Sequence, residues 1–136
     1  MSVIRSKRGV SDAEFLATAR KLQIFTIQKC VNAIPKRYTF YLATPLADSS
    51  RRVYEYVKRG NSINPTNAHE VQMRRDQFLL AVAELYSLVS QIELSHELLR
   101  FDPAIMQEWS KLISTEIKLV KGLLKADRER YKTLTR

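Results

Sequence analysis

The sequence predicts an all-α protein, folded as an antiparallel up-down-up-down four-helix bundle. Three turn-forming points, at residues 34–37, 60–65 and 102–103, separate four long segments in which apolar residues recur with a helical period. Only three Gly and four Pro occur among 136 residues, which argues against a β-sandwich or barrel because those folds need frequent turns. We therefore expect one domain over residues 1–136, with a basic N-terminal tail at 1–10 and a frayed C-terminal end at 132–136.

The first helix is predicted over residues 12–33. Ser11 or Asp12 is a suitable N-cap, because a short side-chain oxygen accepts a hydrogen bond from an unpaired amide of the first turn. Ser11 and Glu14 also have the spacing of a capping box. Pro35 disfavours helical geometry in the residue before it, so the helix should end there.

The second helix is predicted over residues 38–59, and Pro45 leaves two alternatives for its start. Pro45 either takes the first helical position with Thr44 as the cap, or it kinks a helix that begins earlier. Gly60 and Asn61 tolerate the left-handed conformation that ends many helices, so they are predicted to stop this one.

The third helix is predicted to begin behind an Asn67 cap, with Glu70 at the capping-box position. One heptad position of this helix is apolar at every repeat, with Val71, Phe78, Leu85, Ile92 and Leu99. A second position, four residues after the first, holds Val82, Val89 and His96. Arg75 falls at that second position, where an apolar residue is expected, so it either leaves the core or pairs with a carboxylate.

The fourth helix is predicted to begin at Asp102 and Pro103, a cap followed by proline, and to reach about Tyr131. Five cations recur along it at steps of three and four residues: Lys118, Lys121, Lys125, Arg128 and Lys132. They fall within an arc of roughly 80°, opposite the apolar side of the helix. Such a row suits closely spaced phosphates, and the alternative is an ordinary solvated face.

The overall charge favours an anionic partner. Lys and Arg total 23 against 14 acidic residues, which gives a formal net charge of +9 and a pI near 9.9. This balance favours nucleic acid or an anionic membrane surface, although net charge alone also serves solubility. Membrane binding through the fourth helix would need bulky apolar residues exposed beside the lysines, whereas Trp109 and Leu123 are expected in the core.

Adjacent basic residues recur elsewhere in the chain, as the pairs Lys36 and Arg37, Arg51 and Arg52, Lys58 and Arg59, and Arg74 and Arg75. The first and third of these pairs lie at opposite ends of a bundle. The pairs therefore cannot share one groove of a single chain, but they can line one face of an oligomer. Three rings, Tyr38, Phe40 and Tyr41, follow the first pair. They either stack nucleic-acid bases or pack the start of the second helix, and we favour packing.

No catalytic constellation emerges from the sequence. Cys30 is a lone cysteine of the kind that packs in a core. His69 and His96 lie about 40 Å apart along one helix, so they cannot share a metal ion. Glu93 and His96 form one Glu-x-x-His motif, whereas a di-metal bundle needs two. We therefore predict a non-enzymatic protein with no cofactor and no metal.

A cytoplasmic location is expected. Cys30 is the only cysteine, so no internal disulfide can form. The basic residues near the N-terminus are not followed by the apolar run of a signal peptide. No stretch of consecutive apolar residues is long enough to predict a membrane-spanning helix.

The region around the first turn resembles a known family. Residues 33–37, with the sequence Ala-Ile-Pro-Lys-Arg, join two helices, and the third helix opens with Arg74 and Arg75 ahead of Phe78, Leu79, Ala81 and Leu85. This layout resembles the four-helix-bundle superfamily that includes the accessory variability determinant (Avd) proteins of diversity-generating retroelements. The related bundle proteins encoded in ribosomal RNA intervening sequences share the fold. The resemblance covers roughly residues 15–130.

The resemblance implies a non-enzymatic partner of a reverse transcriptase. Avd proteins are basic, assemble as pentameric barrels, and bind the reverse transcriptase and nucleic acid during mutagenic retrohoming. The chain is accordingly expected to be a homo-oligomer, a pentamer by resemblance, that holds RNA or an RNA–cDNA hybrid through phosphates. The rival interpretation is a protein–protein scaffold with no nucleic-acid role.

Overall fold

Four long helices make up most of the described part of the chain. The computed structural model describes the backbone of residues 10–135 and the side chains of residues 14–135. The helices are α1 (Val10–Asn32), α2 (Thr44–Ser62), α3 (Ala68–Leu99) and α4 (Pro103–Arg130). Residues 10–135 contain no β-strand, so the predicted all-α class is confirmed. Most of the predicted basic tail at residues 1–10 lies outside the described residues.

The helices contact one another in a closed ring. Helix α1 packs on α2 and α4, and α3 packs on the same two helices from the other side. Trp109, near the start of α4, donates a hydrogen bond from Nε1 to Thr26 Oγ1 in the later half of α1, at 2.9 Å. Arg74, near the start of α3, bonds to the Gly60 carbonyl near the end of α2. Each of these contacts joins the start of one helix to the later part of another.

The helix starts are only partly as predicted. The Asn67 cap is confirmed, since its Oδ1 accepts from the Glu70 amide at 2.9 Å. The Asp102 cap is confirmed by a 2.8 Å bond from the Ala104 amide. The predicted cap at Ser11 or Asp12 is wrong, because α1 is already helical at Val10. Helix α4 ends at Arg130, close to the predicted end near Tyr131, and residues 131–134 continue as turns.

Thr44 is not the cap ahead of Pro45, as one of the two alternatives predicted, because Thr44 is itself the first residue of α2. The chain winds without a break from a 3₁₀ turn, Lys36–Tyr38, through a wide π turn, Thr39–Ala43, into α2. The Thr44 amide bonds to the Thr39 carbonyl, five residues back, and Pro45 is the second residue of α2. The wider turn accommodates proline, which has no amide hydrogen and clashes with the carbonyl four residues back in a regular helix.

Gly60 does not stop α2, which continues to Ser62, so this prediction is wrong. Gly60 is buried and its φ is not positive. A Cβ atom at Gly60 would lie 2.6 Å from Cε1 of Phe78 and under 3.0 Å from two further atoms of that ring. Glycine is therefore required here for the close approach of α2 to α3 rather than for a left-handed turn.

The apolar seam of α3 is rotated from its predicted position. Phe78, Leu85 and Ile92 are buried, as predicted. The second buried position lies three residues after the first rather than four, and it holds Arg74, Ala81, Leu88 and Ser95. The predicted Val82, Val89 and His96 are half-buried. Helix α3 packs more extensively on α2 than on α4, which turns its buried face toward α2.

The core is apolar apart from a few enclosed polar groups. Trp109 and Leu123 are buried, as predicted. Glu116 in α4 is fully buried, and neither of its carboxylate oxygens has a hydrogen-bond partner within the described structure. Burial raises the pKa of Glu116 from its ordinary 4.5 to about 8, so this carboxyl group is protonated at neutral pH.

Candidate nucleic-acid interface

The predicted row of cations on α4 is exposed to solvent along its whole length. Lys118, Lys125 and Arg128 have no carboxylate within ion-pair distance in the described part of the chain. Lys121 is exposed and donates to the Tyr86 hydroxyl at 3.0 Å, which is a neutral partner and not a carboxylate. Lys132 is different, because it pairs with Glu129 at 3.0 Å. The row is therefore neutralised only at its C-terminal end.

Two further cations extend this row, and sequence reasoning missed one of them. Lys111 is exposed and lies seven residues before Lys118, which places it on nearly the same side of α4. Arg75 of α3 and Arg128 of α4 line one hollow of about 180 Å³ between the two helices. We call Arg75, Lys111, Lys118, Lys121, Lys125 and Arg128 the cationic ridge. The seven-residue step from Lys118 was the signal that could have identified Lys111.

Arg75 takes the first of its two predicted alternatives. It is half-buried at the edge of the hollow, outside the core, and it has no ion pair among residues 14–135. Arg75 therefore lines the same hollow as Arg128 without an ion pair of its own, although Asp127 also lines that hollow.

Arg74 is not part of any basic surface, and its predicted place in the interface is corrected. It is only 4% exposed and forms an ion pair with Asp127, with Nε to Oδ2 at 2.7 Å. Its Nη1 donates to the carbonyls of Gly60, at 3.2 Å, and Ile63, at 3.1 Å. Arg74 thus ties α2, α3 and α4 together at one end of the bundle, and its charge is compensated inside the protein.

Arg51 and Arg52 are also paired with carboxylates. Arg51 lies 3.0 Å from Asp48 and 3.9 Å from Glu55 on its own helix. Arg52 makes two hydrogen bonds to Glu84 of α3, at 3.1 and 3.2 Å. These two arginines hold helices and neighbouring turns together, so they offer less uncompensated charge than the ridge.

The other two predicted pairs are exposed but lie far apart. Lys58 and Arg59, near the end of α2, share the end of the protein where Arg74 joins α2, α3 and α4. Lys36 and Arg37 lie in the connection between α1 and α2, at the other end of α2. The structure therefore brings Lys58 and Arg59 to the end that holds Arg75 and Arg128, and it separates them from Lys36 and Arg37.

The rings after Lys36 and Arg37 do not pack as expected. Phe40 is 87% exposed and Tyr41 is 77% exposed, so the favoured packing interpretation is wrong for both. Tyr38 is half-buried against the core, as packing would require.

Cys30 and His96 both make hydrogen bonds within the fold. Cys30 donates from Sγ to the Ala43 carbonyl at 3.3 Å, and burial raises its pKa to about 11, which keeps the thiol protonated. His96 Nδ1 accepts from the Phe101 amide at 3.0 Å, and the two rings stack. Within residues 14–135, no group of three or more His, Cys, Asp or Glu is arranged to hold a metal ion.

Helix α3 is long and apolar enough to cross a membrane on composition alone. Its most apolar 18-residue window has a mean hydropathy of 1.3, and 33% of that window is buried inside the protein. A core helix of a soluble protein passes the same criterion, so this is weak support for a membrane span.

The fold and the surface together define a basic all-α protein with a cationic ridge along its last helix. No family model, curated protein or solved structure matches the chain. The resemblance to the accessory bundles of retroelements therefore stays a prediction, and the cationic ridge carries the functional argument.

Proposed function

We propose that this protein is a non-enzymatic, nucleic-acid-binding accessory subunit of a reverse transcriptase in a diversity-generating retroelement, acting in the cytoplasm as a homo-oligomer. The observation that carries the proposal is the cationic ridge, whose Lys118, Lys125 and Arg128 have no carboxylate partner in the described structure. The reverse transcriptase partner and a pentameric assembly follow from the resemblance of the first turn and the helix layout.

Binding by the ridge would be electrostatic. From Lys111 to Arg128 the ridge runs for roughly 26 Å of helix, at 1.5 Å per residue. A duplex carries one charge per about 1.7 Å of its axis, so several phosphates fall within that length. Contacts of this kind position a nucleic acid without reading its bases. We therefore expect weak sequence preference and steep salt dependence for RNA or an RNA–cDNA hybrid.

We propose the up-down-up-down arrangement for the four helices. It is supported by the closed ring of contacts and by the bonds that join opposite ends of neighbouring helices. Arg74 to Asp127 and Tyr86 to Lys121 pair α3 and α4 in opposite chain directions. This arrangement leaves the ridge along one continuous side of the bundle.

The exposed apolar side of α3 supports the proposed self-association. Met73, Leu80 and Leu94 recur at multiples of seven residues and are each at least 44% exposed. Between Asp76 and Glu93 the only charged residue of α3 is Glu84, which pairs with Arg52. An apolar helix face that no other part of the described chain covers is suited to contact with a second copy.

The test of the ridge is the salt dependence of RNA binding. The variant Lys118→Gln, Lys121→Gln, Lys125→Gln should flatten the slope of log K against log salt by about 2 to 3, because each lost phosphate contact removes about one unit. Fluorescence anisotropy with a generic RNA at about 50 and 200 mM salt measures it. Arg51→Gln is the matched control, since it removes an exposed charge that Asp48 and Glu55 already compensate. An unchanged slope in the triple variant would remove the ridge from the site.

The second candidate function is a protein–protein scaffold. The exposed aliphatic side chains Ile24, Ile27 and Val31 of α1 favour it, because they form an apolar patch away from the ridge. A wild-type protein that binds RNA at neither salt concentration would support this candidate instead.

A further inference from the structure

Two aromatic side chains stand out from the fold in the connection between α1 and α2. Phe40 and Tyr41 are among the most exposed large apolar residues of the described chain, with 87% and 77% of their area in solvent. Burying such a ring would stabilise the fold by roughly 2 kcal/mol, and the exposed rings do not contribute that stabilisation. The rings are therefore held in water by the fold around them.

The π turn Thr39–Ala43 explains how both rings are held outward. Leu42 and Ala43 face the core, at 3% and 8% exposure, and they fix the inward side of this turn. Phe40 and Tyr41 immediately precede them and face solvent together. Wide turns of this type occur frequently at functional sites.

The surroundings of the rings are cationic. Lys36 and Arg37 are exposed, and neither has an ion-pair partner in the part of the chain whose side chains are described. The Arg37 guanidinium lies 5.3 Å from the centre of the Tyr38 ring. No Asp or Glu occurs in the sequence between Glu14 and Asp48. The local charge is therefore not compensated from within this segment.

We propose that Lys36, Arg37, Phe40 and Tyr41 form a stacking platform for single-stranded nucleic acid, here called the turn platform. The two exposed rings stack on unpaired bases, and the two cations contact the adjoining phosphates. Aromatic faces beside cations hold single strands in this way with little sequence preference. The inference rests on the proposed function, since it takes the ligand to be nucleic acid, and it names the unpaired strand as the ligand of this site.

The turn platform and the cationic ridge would make different demands on the polymer. Phosphates are accessible in single strands and duplexes alike, so the ridge serves both. The bases of a duplex are stacked on one another and closed to side chains, so the turn platform requires unpaired bases. A protein with both surfaces therefore prefers single strands to duplexes of equal length.

Replacing an aromatic ring by leucine keeps apolar surface but removes the aromatic face, so it affects base stacking and apolar contact differently. A membrane or an apolar peptide needs apolar area of any shape, which leucine also supplies. A groove lined by Ile27, Val31, Lys36 and Thr39 would add to the apolar area available to such a partner. A base needs a flat π face, which leucine does not have. Replacing the rings by leucine thus separates the two kinds of partner.

The experiment compares Phe40→Leu, Tyr41→Leu with Phe40→Trp, Tyr41→Trp. The probes are a labelled oligouridine of about 16 nucleotides and an RNA duplex of the same length, followed by anisotropy. The leucine variant should bind oligouridine at least tenfold more weakly, with duplex affinity and salt slope unchanged. The tryptophan variant should bind it at least as tightly as wild type, and its fluorescence should be quenched by stacked bases.

A control variant, Ile24→Ala with Leu98→Ala, removes exposed apolar area from α1 and α3 outside the proposed self-association face and should leave oligouridine binding unchanged. Unchanged oligouridine binding by the leucine variant would overturn the turn platform and leave the ridge standing. Wild-type protein that binds neither RNA would overturn the proposed function as well. Ring-dependent binding to vesicles of phosphatidylcholine and phosphatidylserine in equal parts, without an effect on oligouridine, would assign the rings to a membrane surface and overturn the inference.

Discussion

At the scale of single residues, Gly60 sets the distance between α2 and α3. The position of its absent Cβ is occupied by the ring of Phe78, which is itself buried and packs edge-on against Phe15 at 5.9 Å. The ring is therefore held between Gly60 on one side and the ring of Phe15 on another. One methyl group at this position must push the two helices apart or force the ring from its rotamer.

We expect Gly60→Ala to lower the free energy of unfolding by about 1 to 3 kcal/mol, since overpacking outweighs the better helix propensity of alanine. Gly122→Ala is the matched control, because Gly122 is exposed in α4 and a Cβ there meets nothing within 4 Å. That variant should be more stable by about 0.5 to 1 kcal/mol. Urea unfolding measures both, and equal effects of the two substitutions would contradict the packing role of Gly60.

Glu116 gives the protein a predictable pH dependence. Its pKa is about 8 in the folded protein and near 4.5 when exposed, so the folded state holds the proton more tightly. Below pH 4.5 both states are protonated and the group has no effect. Between the two values the unfolded chain alone loses the proton, so stability falls by about 1.4 kcal/mol per pH unit. The loss is complete above the folded pKa.

We expect Glu116→Met to be more stable than wild type by roughly 3 kcal/mol at pH 7, since it removes this cost and a buried unpaired carboxyl group. The difference should shrink toward about pH 5, where the unfolded chain is nearly as protonated as the folded one. Urea unfolding of both proteins across this pH range measures it, and other titrating groups cancel in the comparison. A difference independent of pH would show that Glu116 is not protonated in the folded state.

At the scale of helices, the sequence was sufficient for the number of helices and for the caps at Asn67 and Asp102. Those predictions depend on periodicity and local hydrogen bonding, which a sequence encodes directly. The sequence did not predict which of two adjacent heptad positions of α3 is buried. Successive residues of a helix point about 100° apart, and which of them faces the core depends on how closely α2 approaches α3. Because of that rotation, Arg74 takes the buried position that the heptad pattern gave to Arg75, and Arg75 lies outside the core.

The candidate surfaces were predictable to different degrees. The exposure of Lys118, Lys121 and Lys125 follows from their period on one helix. The compensation of Arg52 by Glu84 depends on a contact between two helices that no local pattern reveals. The exposure of Phe40 and Tyr41 depends on the π turn, which has no simple sequence signal and which replaced the expected regular start of α2.

At the scale of the whole molecule, the apolar outer side of α3 makes self-association testable. We expect Leu80→Glu with Leu94→Glu to reduce the mass in solution to that of one 15.8 kDa chain, because buried unpaired carboxylates oppose an apolar interface. Light scattering measures the mass. Ile24→Glu with Val31→Glu is the control on α1 and should leave the oligomer intact. A wild-type protein that is already a single chain would contradict the proposed homo-oligomer.

The unequal contacts among the helices also bear on how the molecule opens. Helix α4 touches its two neighbours less extensively than α2 touches its own. Segments with fewer buried contacts separate from the rest at a lower free energy than complete unfolding requires. We therefore expect local opening of the fold to begin with the separation of α4. Helix α4 also bears most of the cationic ridge. A polyanion that contacts both Arg75 of α3 and the row on α4 would bind the closed form more tightly and so oppose the separation by mass action.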